Sequence, residues 1–435
     1  MNVGKNKKVL IITYYWPPSA GSGVQRWLKF AKYLPEYGWE PVIFTPENPD
    51  FDLHDEGLLK EISSQLEVIK FPIWEPYAIF RKLKKEKLAD TSKVLEKKKK
   101  SFVDKIGIWL RANFLVPDPR IFWVRPSVTF LEDIIQNNKI DAIITTGPPH
   151  SLHLIGRNLK RKLDTPWLAD FRDPWSQWEF LDTLPMSKFV RNRHAQLEQS
   201  VLHEADAVTT ISPTFQSDLE RTANRPVHLL TNGFDPADLP DDWQREKIAD
   251  INQLEIVYTG VIDAIRNPIP FLQAYQNSFQ YQERNVMLRF VGKVSSNVLD
   301  YVNQDEWLKI HVSFEGYVSH EQVFDYYRKA DILLLILTDT KNAKGNIPGK
   351  LFEYIATGRR IIALGDKEGD SAKILKSAHA GEVFAHHDLE GIQKRLETFD
   401  QWSSSLNTKT STQYSRKNLS KNLANILDDI KDPIS

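Results

Sequence analysis

The stretch NIPGKLFEYIATGRRIIALG, Asn346 to Gly365, puts a proline, a glycine and a lysine at the start of a helical pattern, with a glutamate three residues beyond the lysine. Pro348 suits the first helical position, where its missing N–H would have no partner anyway. The amides of Gly349 and Lys350, together with the Lys350 ammonium, can then face an anion such as a diphosphate. Glu353 falls on the same helix face and can accept two hydroxyls. A structural glutamate near a helix start gives the same local pattern.

Three further stretches follow predicted strands. In YYWPPSAGSGVQRWLKFAKYL, Gly21 and Gly23 allow the backbone to approach a ligand closely, and a helix starting near Val24 aims its N–H groups at an anion. The same glycines would also serve a plain turn, and the spacing is not GxGxxG. In TTGPPHSLHLIGRNLK, two prolines stiffen a turn that should hold His150 at the mouth of the sheet, with His153 one helical turn later. A third ligand is not nearby, so the pair is not read as a zinc site. In WLADFRDPWSQW, Asp170, Arg172 and Asp173 lie next to Trp175 and Trp178. This group reads either as an ion pair or as a sugar subsite, with rings covering CH faces and carboxylates accepting hydroxyls.

A fifth feature is electrostatic. From Arg81 to Lys105 there are eleven Lys and Arg against four Asp and Glu, an excess of seven positive charges, and aromatic and aliphatic residues follow up to Trp123. Such a run serves as a solvated face or as a contact with an anionic membrane surface.

Positioning these residues requires strands whose carboxyl ends converge. Short Val/Ile-rich runs, each followed by a turn and a helical pattern, indicate parallel sheets built from βαβ units. They fall at Val9 to Thr13, Pro41 to Thr45, Ala142 to Thr145, Trp167 to Ala169 and Ala207 to Ile211. The second half has Glu255 to Thr259, Leu288 to Val291, His311 to Phe314, Ile332 to Leu337 and Arg360 to Leu364. A chain of 435 residues calls for two such domains. The polar linker NGFDPADLPDDWQREKIADINQ sets their boundary near Asp241, giving 1–240 and 241–410. The tail YSRKNLSKNLANILDDI is an amphipathic helix within 411–435 that needs a surface to cover.

Fifty-seven basic residues balance fifty-seven acidic ones, which argues against nucleic acid as a partner. The absence of cysteine excludes disulfides and thiolate chemistry. No apolar run is long enough to cross a bilayer, so a cytoplasmic protein is expected, with peripheral contact to the membrane as an option.

Taken together, these stretches resemble the retaining nucleotide-sugar glycosyltransferases of family 4. The likeness extends through ADAVTTISPTFQSDL, HLLTNGFDP, VYTGVI, LRFVG, FEGYVSHEQVFDYYRKADILLLIL and IPGKLFEYIATGRRIIA. It implies the GT-B fold: two Rossmann-like, doubly wound parallel-sheet domains facing a central cleft, with the last helix crossing back onto the first domain. Glu353 then matches the second glutamate of an EX7E motif, which binds the donor ribose. Gly349 and Lys350 match the segment that cradles the sugar and diphosphate, and Arg266 the basic residue that neutralises the diphosphate. Gly21 and Gly23 match the glycine loop closing on the phosphates, and Tyr317 and Val318 the segment beside the nucleobase.

Two positions depart from the family. Gly345 stands where the first glutamate of the motif is usual, and FRDPW puts Arg172 and Asp173 where many members have a histidine. The resemblance implies charge stabilisation of a departing diphosphate without a metal or other cofactor, with Asp173 or His150 orienting the acceptor. The acceptor would be a glycan or a lipid-linked sugar, as in bacterial surface polysaccharide synthesis, and the donor a UDP-sugar. A nucleotide-sugar epimerase or hydrolase, or a membrane-bound scaffold with a decayed site, are the competing readings.

Overall fold

The computed structural model describes residues 6–51, 54–75, 102–243, 253–401 and 411–432. The chain divides into two compact units, Met1–Thr231 with Arg416–Ser435, and Asn232–Ser415. The polar linker, which begins at Asn232, thus falls within the second unit.

The first unit holds a parallel sheet of seven strands among the described residues, in the order β3-β2-β1-β4-β5-β6-β7. These are β1 (Lys7–Ile12), β2 (Trp39–Pro46), β3 (Glu67–Phe71), β4 (Ala142–Gly147), β5 (Trp167–Phe171), β6 (Ala207–Thr210) and β7 (His228–Leu229). Helices cover both faces, which explains why β1 reads VLII without alternation: Leu10 and Ile12 enter one core, Val9 and Ile11 the other.

The second unit has, among the described residues, six parallel strands in the order β10-β9-β8-β11-β12-β13. They are β8 (Gln253–Thr259), β9 (Asn285–Val291), β10 (Val312–Gly316), β11 (Ile332–Ile336), β12 (Arg360–Leu364) and β13 (Gly381–Phe384). In β11, Ile332, Leu334 and Ile336 pack on one side, Leu333 and Leu335 on the other.

The strand order reverses between β1 and β4 in one sheet and between β8 and β11 in the other. Loops leaving these neighbours diverge to opposite faces and open a crevice at the carboxyl ends, the usual ligand position in such sheets. The glycine loop follows β1, the GPPH turn follows β4, Arg266 lies in the loop after β8, and Lys350 lies in the segment after β11.

The tail helix, Arg416–Lys431, joins the first unit. Its Leu419, Leu423 and Leu427 enter the core that also holds Trp27 and Phe30 of the helix Ser22–Tyr33. Trp39 Nε1 donates to Asp428 Oδ1 at 2.9 Å, and Lys431 pairs with Asp141 at 2.8 Å. Among the described residues no helix is long and apolar enough to cross a membrane.

Candidate functional site

In the second unit, the helix Gly349–Thr357 follows Pro348, whose ψ of 143° is extended. Pro348 is therefore the N-cap and not, as the sequence suggested, the first helical residue. Lys350 becomes the second residue of the helix and Glu353 the fifth. The preceding turn, Ala343–Gly345, is a short 3-10 helix with Gly345 buried.

Lys350 Nζ donates to the Thr259 carbonyl at the end of β8 and lies 4.1 Å from the centroid of the Tyr258 ring. Gly260 makes this possible: a Cβ there would sit 2.8 Å from Lys350 Nζ, and its φ of +114° is one that L side chains rarely adopt. Removal from water, reinforced by the Arg266 cation, pushes the Lys350 ammonium down to about 7, against the pull of Glu353 and Asp263. Arg266 itself pairs with Asp263 at 2.6 Å in the loop after β8.

Glu353 has partners that the sequence did not reveal. Tyr327 Oη donates to Glu353 Oε2 at 3.2 Å, and His320 Nε2 lies 3.5 Å from Glu353 Oε1. Tyr327 in turn meets Thr259 Oγ1 at 3.1 Å, and Thr259 meets Tyr354 Oη at 3.1 Å. This hydroxyl chain ties the Glu353 carboxylate to the end of β8. The usable signal was the amphipathic helix His320–Lys329, which carries His320 and Tyr327 seven residues apart on one face. Tyr317 is exposed just after β10, and Val318 packs against the core beside it.

In the first unit, Gly21 caps the helix Ser22–Tyr33 with φ 115°. Gly23 leaves space for Arg172, since a Cβ on Gly23 would fall 2.0 Å from Arg172 Nη1. Arg172 is held from the other side: its Nε donates to the Gly147 carbonyl at 3.2 Å and its Nη2 to the Pro148 carbonyl. The glycine loop, the GPPH turn and the FRDPW turn thus converge on one guanidinium. Gly23→Ala is expected to displace Arg172 and lower turnover on the order of tenfold or more, with a smaller loss of stability. Steady-state kinetics beside thermal unfolding would show this, and unchanged kinetics would refute it.

Asp170 and Arg172, neighbours but one in sequence, have different roles. Asp170 is fully buried and bonded to Arg26, with Nη2 to Oδ1 at 2.7 Å and Nε to Oδ2 at 3.2 Å. Thr146 and Thr209, its cross-strand neighbours on β4 and β6, donate to it at 2.9 Å each. Burial would raise the Asp170 carboxyl, but Arg26 and these hydrogen bonds hold it below its ordinary value. Asp173, by contrast, is raised: burial outweighs the attraction of Arg172. A carboxylate so raised is a better proton acceptor.

His150 follows the carboxyl end of β4, as the N-cap of the helix Ser151–Leu163, but it is not open to solvent. It is buried, stacked 4.9 Å from the Trp175 ring at an interplanar angle of 4°, and neither ring nitrogen makes a well-formed hydrogen bond. Burial, with the nearby His153, pushes its pKa well below the ordinary value, so it is neutral at physiological pH. Trp175 is likewise a core residue and no sugar platform, its Nε1 donating to His194 Nδ1 at 3.1 Å. Trp178 is partly exposed and packs on Phe180.

A further strand-end cluster escaped the sequence reading. Tyr14, after β1, donates to Glu75 Oε2 at 2.8 Å, and Arg120 donates to Tyr14 Oη at 3.1 Å while pairing with Glu75 at 2.9 Å. Its members come from three separate segments, and only the sheet brings them together. Among the described residues no group of three His, Asp or Glu side chains is arranged to hold a metal ion.

Residues 21–233 match the family described as glycosyl transferase 4-like domain, and residues 253–399 match glycosyl transferases group 1. The fold is shared with solved structures at low sequence identity. Sucrose-phosphate synthase from Thermosynechococcus elongatus aligns with 14% identity over 98% of this chain and 94% of its own, with a TM-score of 0.59. Anabaena HepE in complex with UDP gives 12% identity over 97% of this chain and 100% of its own, with a TM-score of 0.61. The lipopolysaccharide outer core galactosyltransferase WaaB gives 13% identity over 97% and 99%, with a TM-score of 0.57. The chain is a GT-B glycosyltransferase. No curated protein matches its sequence. The two family matches divide the glycosyltransferase much as its two compact units do: Gly21, His150, Arg172 and Asp173 fall in the first match, and Arg266, Tyr317, Val318, Gly349, Lys350 and Glu353 in the second.

Proposed function

We propose that the C-terminal unit binds a nucleotide-sugar donor, most simply a UDP-sugar, and that the sugar passes to a glycan or lipid-linked acceptor with retention of configuration. The observation that carries the reading is the helix Gly349–Thr357 at the carboxyl end of a switch-point strand. It presents Lys350 beside Arg266 and, one turn on, a Glu353 carboxylate already oriented by Tyr327. A cation pair beside a carboxylate matches a diphosphate joined to a ribose. The crystal structure of HepE with UDP supports the choice of nucleotide, and the likeness to WaaB supports a role in surface polysaccharide synthesis.

In this mechanism the bond between the anomeric carbon and the diphosphate breaks through an oxocarbenium-like state. Lys350 and Arg266 meet the charge that develops on the leaving oxygen, a preorganised stabilisation that acts in the transition state. The acceptor hydroxyl attacks from the same side and releases its proton to the departing diphosphate, with no metal required. Asp173 and Arg172 of the N-terminal unit orient the acceptor, Asp173 being the better suited to assist with the proton because its carboxyl is raised. His150, buried and neutral, supports the turn that carries Arg172.

Glu353→Ala should weaken UDP binding at least about tenfold, the loss expected when a charged hydrogen-bonding partner is removed, as read by calorimetry. UDP release should require both a donor and a glycan or lipid-linked acceptor. Release and an altered sugar with donor alone would show an epimerase or hydrolase instead, and unchanged nucleotide affinity in Glu353→Ala would place the donor elsewhere.

A further inference from the structure

The helix Phe102–Phe114 carries its apolar stripe on the wrong side for a globular protein. Ile106, Trp109, Leu110 and Phe114 recur at helical spacing, and all four are between 42% and 68% exposed. The inward side is made by smaller or half-buried residues, with Ala112 buried. A helix stabilised only by the described residues of its own domain would show the reverse arrangement, so this face calls for an apolar environment that the described residues do not supply.

Neighbouring residues extend the patch. Asn113 donates to the Pro185 carbonyl at 2.9 Å and accepts from the Ser187 amide at 2.9 Å, which fixes the end of this helix beside the start of the helix Lys188–Glu204. The first turn of that second helix bears Phe189, which is largely exposed, next to Lys188. Elsewhere on the same unit, Trp74 and Phe122 form an exposed pair of their own, edge to face at 4.8 Å.

Charge decides which partner fits. Residues 81–105, which lead directly into the helix in sequence, carry the excess of seven positive charges; those up to 101 lie outside the described residues. Lys105 and Arg111 lie on the helix itself. Aromatic and aliphatic side chains exposed along one face, with cations beside them, match the boundary between lipid headgroups and acyl chains better than a protein groove, because the cations meet phosphates while the stripe enters the apolar layer.

We infer that the stripe Ile106–Trp109–Leu110–Phe114, with Phe189 beside it, is the surface by which this glycosyltransferase inserts into an anionic lipid leaflet. The inference deepens the lipid-linked acceptor reading above, since a docked enzyme meets such an acceptor at the interface where it resides. The partner is the bilayer surface itself, and the binding does not depend on donor chemistry.

The absence of cysteine provides a clean test on the full chain. Phe114→Cys labelled with an environment-sensitive dye should shift to the blue on vesicles containing phosphatidylglycerol, while the same dye at Glu40→Cys, on an unrelated exposed site, should not. In cosedimentation, the wild type should bind phosphatidylglycerol vesicles and not pure phosphatidylcholine, less so at high salt. Trp109→Ser with Phe114→Ser should lower that binding on the order of tenfold or more, with unfolding temperature and UDP affinity unchanged. An unshifted dye at position 114 on bound protein, or full binding by the double variant, would overturn the inference. So would a dimer in light scattering that the double variant abolishes, because the face would then be covered by a second copy. If the vesicle results hold while no sugar is transferred, the donor reading fails and the docking surface stands.

Discussion

Replacing Lys350 with Ala should reduce sugar transfer by roughly two to three orders of magnitude, the range seen when one preorganised stabiliser of a developing oxyanion is lost. The geometry explains why this side chain matters more than others around it. Arg266 already has an acidic partner in Asp263, whereas the Lys350 ammonium is held by a neutral carbonyl and an aromatic face, in surroundings that disfavour its charge. An arriving diphosphate supplies the missing negative charge. Because the ammonium sits near 7 before the donor binds, a diphosphate must raise that value, and binding above neutrality must take up a proton. Donor affinity should therefore hold at pH 6 to 7 and then weaken as pH rises toward 9, by up to about tenfold per unit where a full proton is taken up. Calorimetry in buffers of different ionisation heat measures the uptake directly. A flat affinity for UDP between pH 7 and 9, or transfer retained in Lys350→Ala, would sink this assignment. Lys350→Arg, which stays charged, should flatten the pH dependence even where its different shape lowers the rate.

The donor helix was legible in sequence because its features are local. A proline, a glycine, a lysine and a glutamate within six residues specify an N-terminus and a face, and the structure shifts them by a single position. The central strands were legible for a similar reason, since burial on both faces leaves unbroken Val/Ile runs. Strands β3, β7 and β13 were not identified. They lie at or next to the sheet edges, where the burial that writes such runs is partial: β7 is two exposed residues, and β13 begins with three that are only half buried.

What local reading could not supply was partnership at a distance. Glu353 is oriented by Tyr327, about two dozen residues earlier on another helix. Sequence adjacency misled at LADFRDPW, where Asp170, Arg172 and Asp173 suggested one cluster. Alternation along β5 turns Asp170 toward Arg26, while Arg172 lies past the strand end and hooks the carbonyls of Gly147 and Pro148. The histidine of the GPPH turn looked accessible because loops usually are. Stacking on Trp175 buries it, and nothing in the spacing announced that Trp175 would be a core residue.

Asp170→Ala is expected to destabilise the N-terminal unit by about 3–5 kcal/mol, the cost of leaving a buried charge without its partner. Both members of the Arg26–Asp170 pair are fully excluded from solvent. Arg26 also donates to the carbonyls of Leu230 and Thr231 at 2.9 and 2.8 Å, so it joins the first helix, the end of β5 and the exit from β7. Neutralising Arg26 by proton loss is not an escape, since a guanidinium keeps its proton. Asp170 is different: in Arg26→Met the carboxyl can take a proton and hydrogen-bond to Thr146 and Thr209, so that variant should cost less. Arg26→Met with Asp170→Leu should recover part of the loss, as apolar replacements of buried pairs often do. The pH dependence has a fixed sign. The folded carboxyl lies below its unfolded value, so its stabilisation is fully present above the unfolded pKa of about 3.9 and is lost as pH falls through the folded value. Calorimetric unfolding at pH 7 should show the Asp170→Ala transition on the order of 10 °C lower for a unit of this size. Lys350→Ala, in the other unit, should leave that transition in place. A shift of only a degree or two in Asp170→Ala would mean that water reaches Arg26, and that the pair is not the clamp at the carboxyl end of β5.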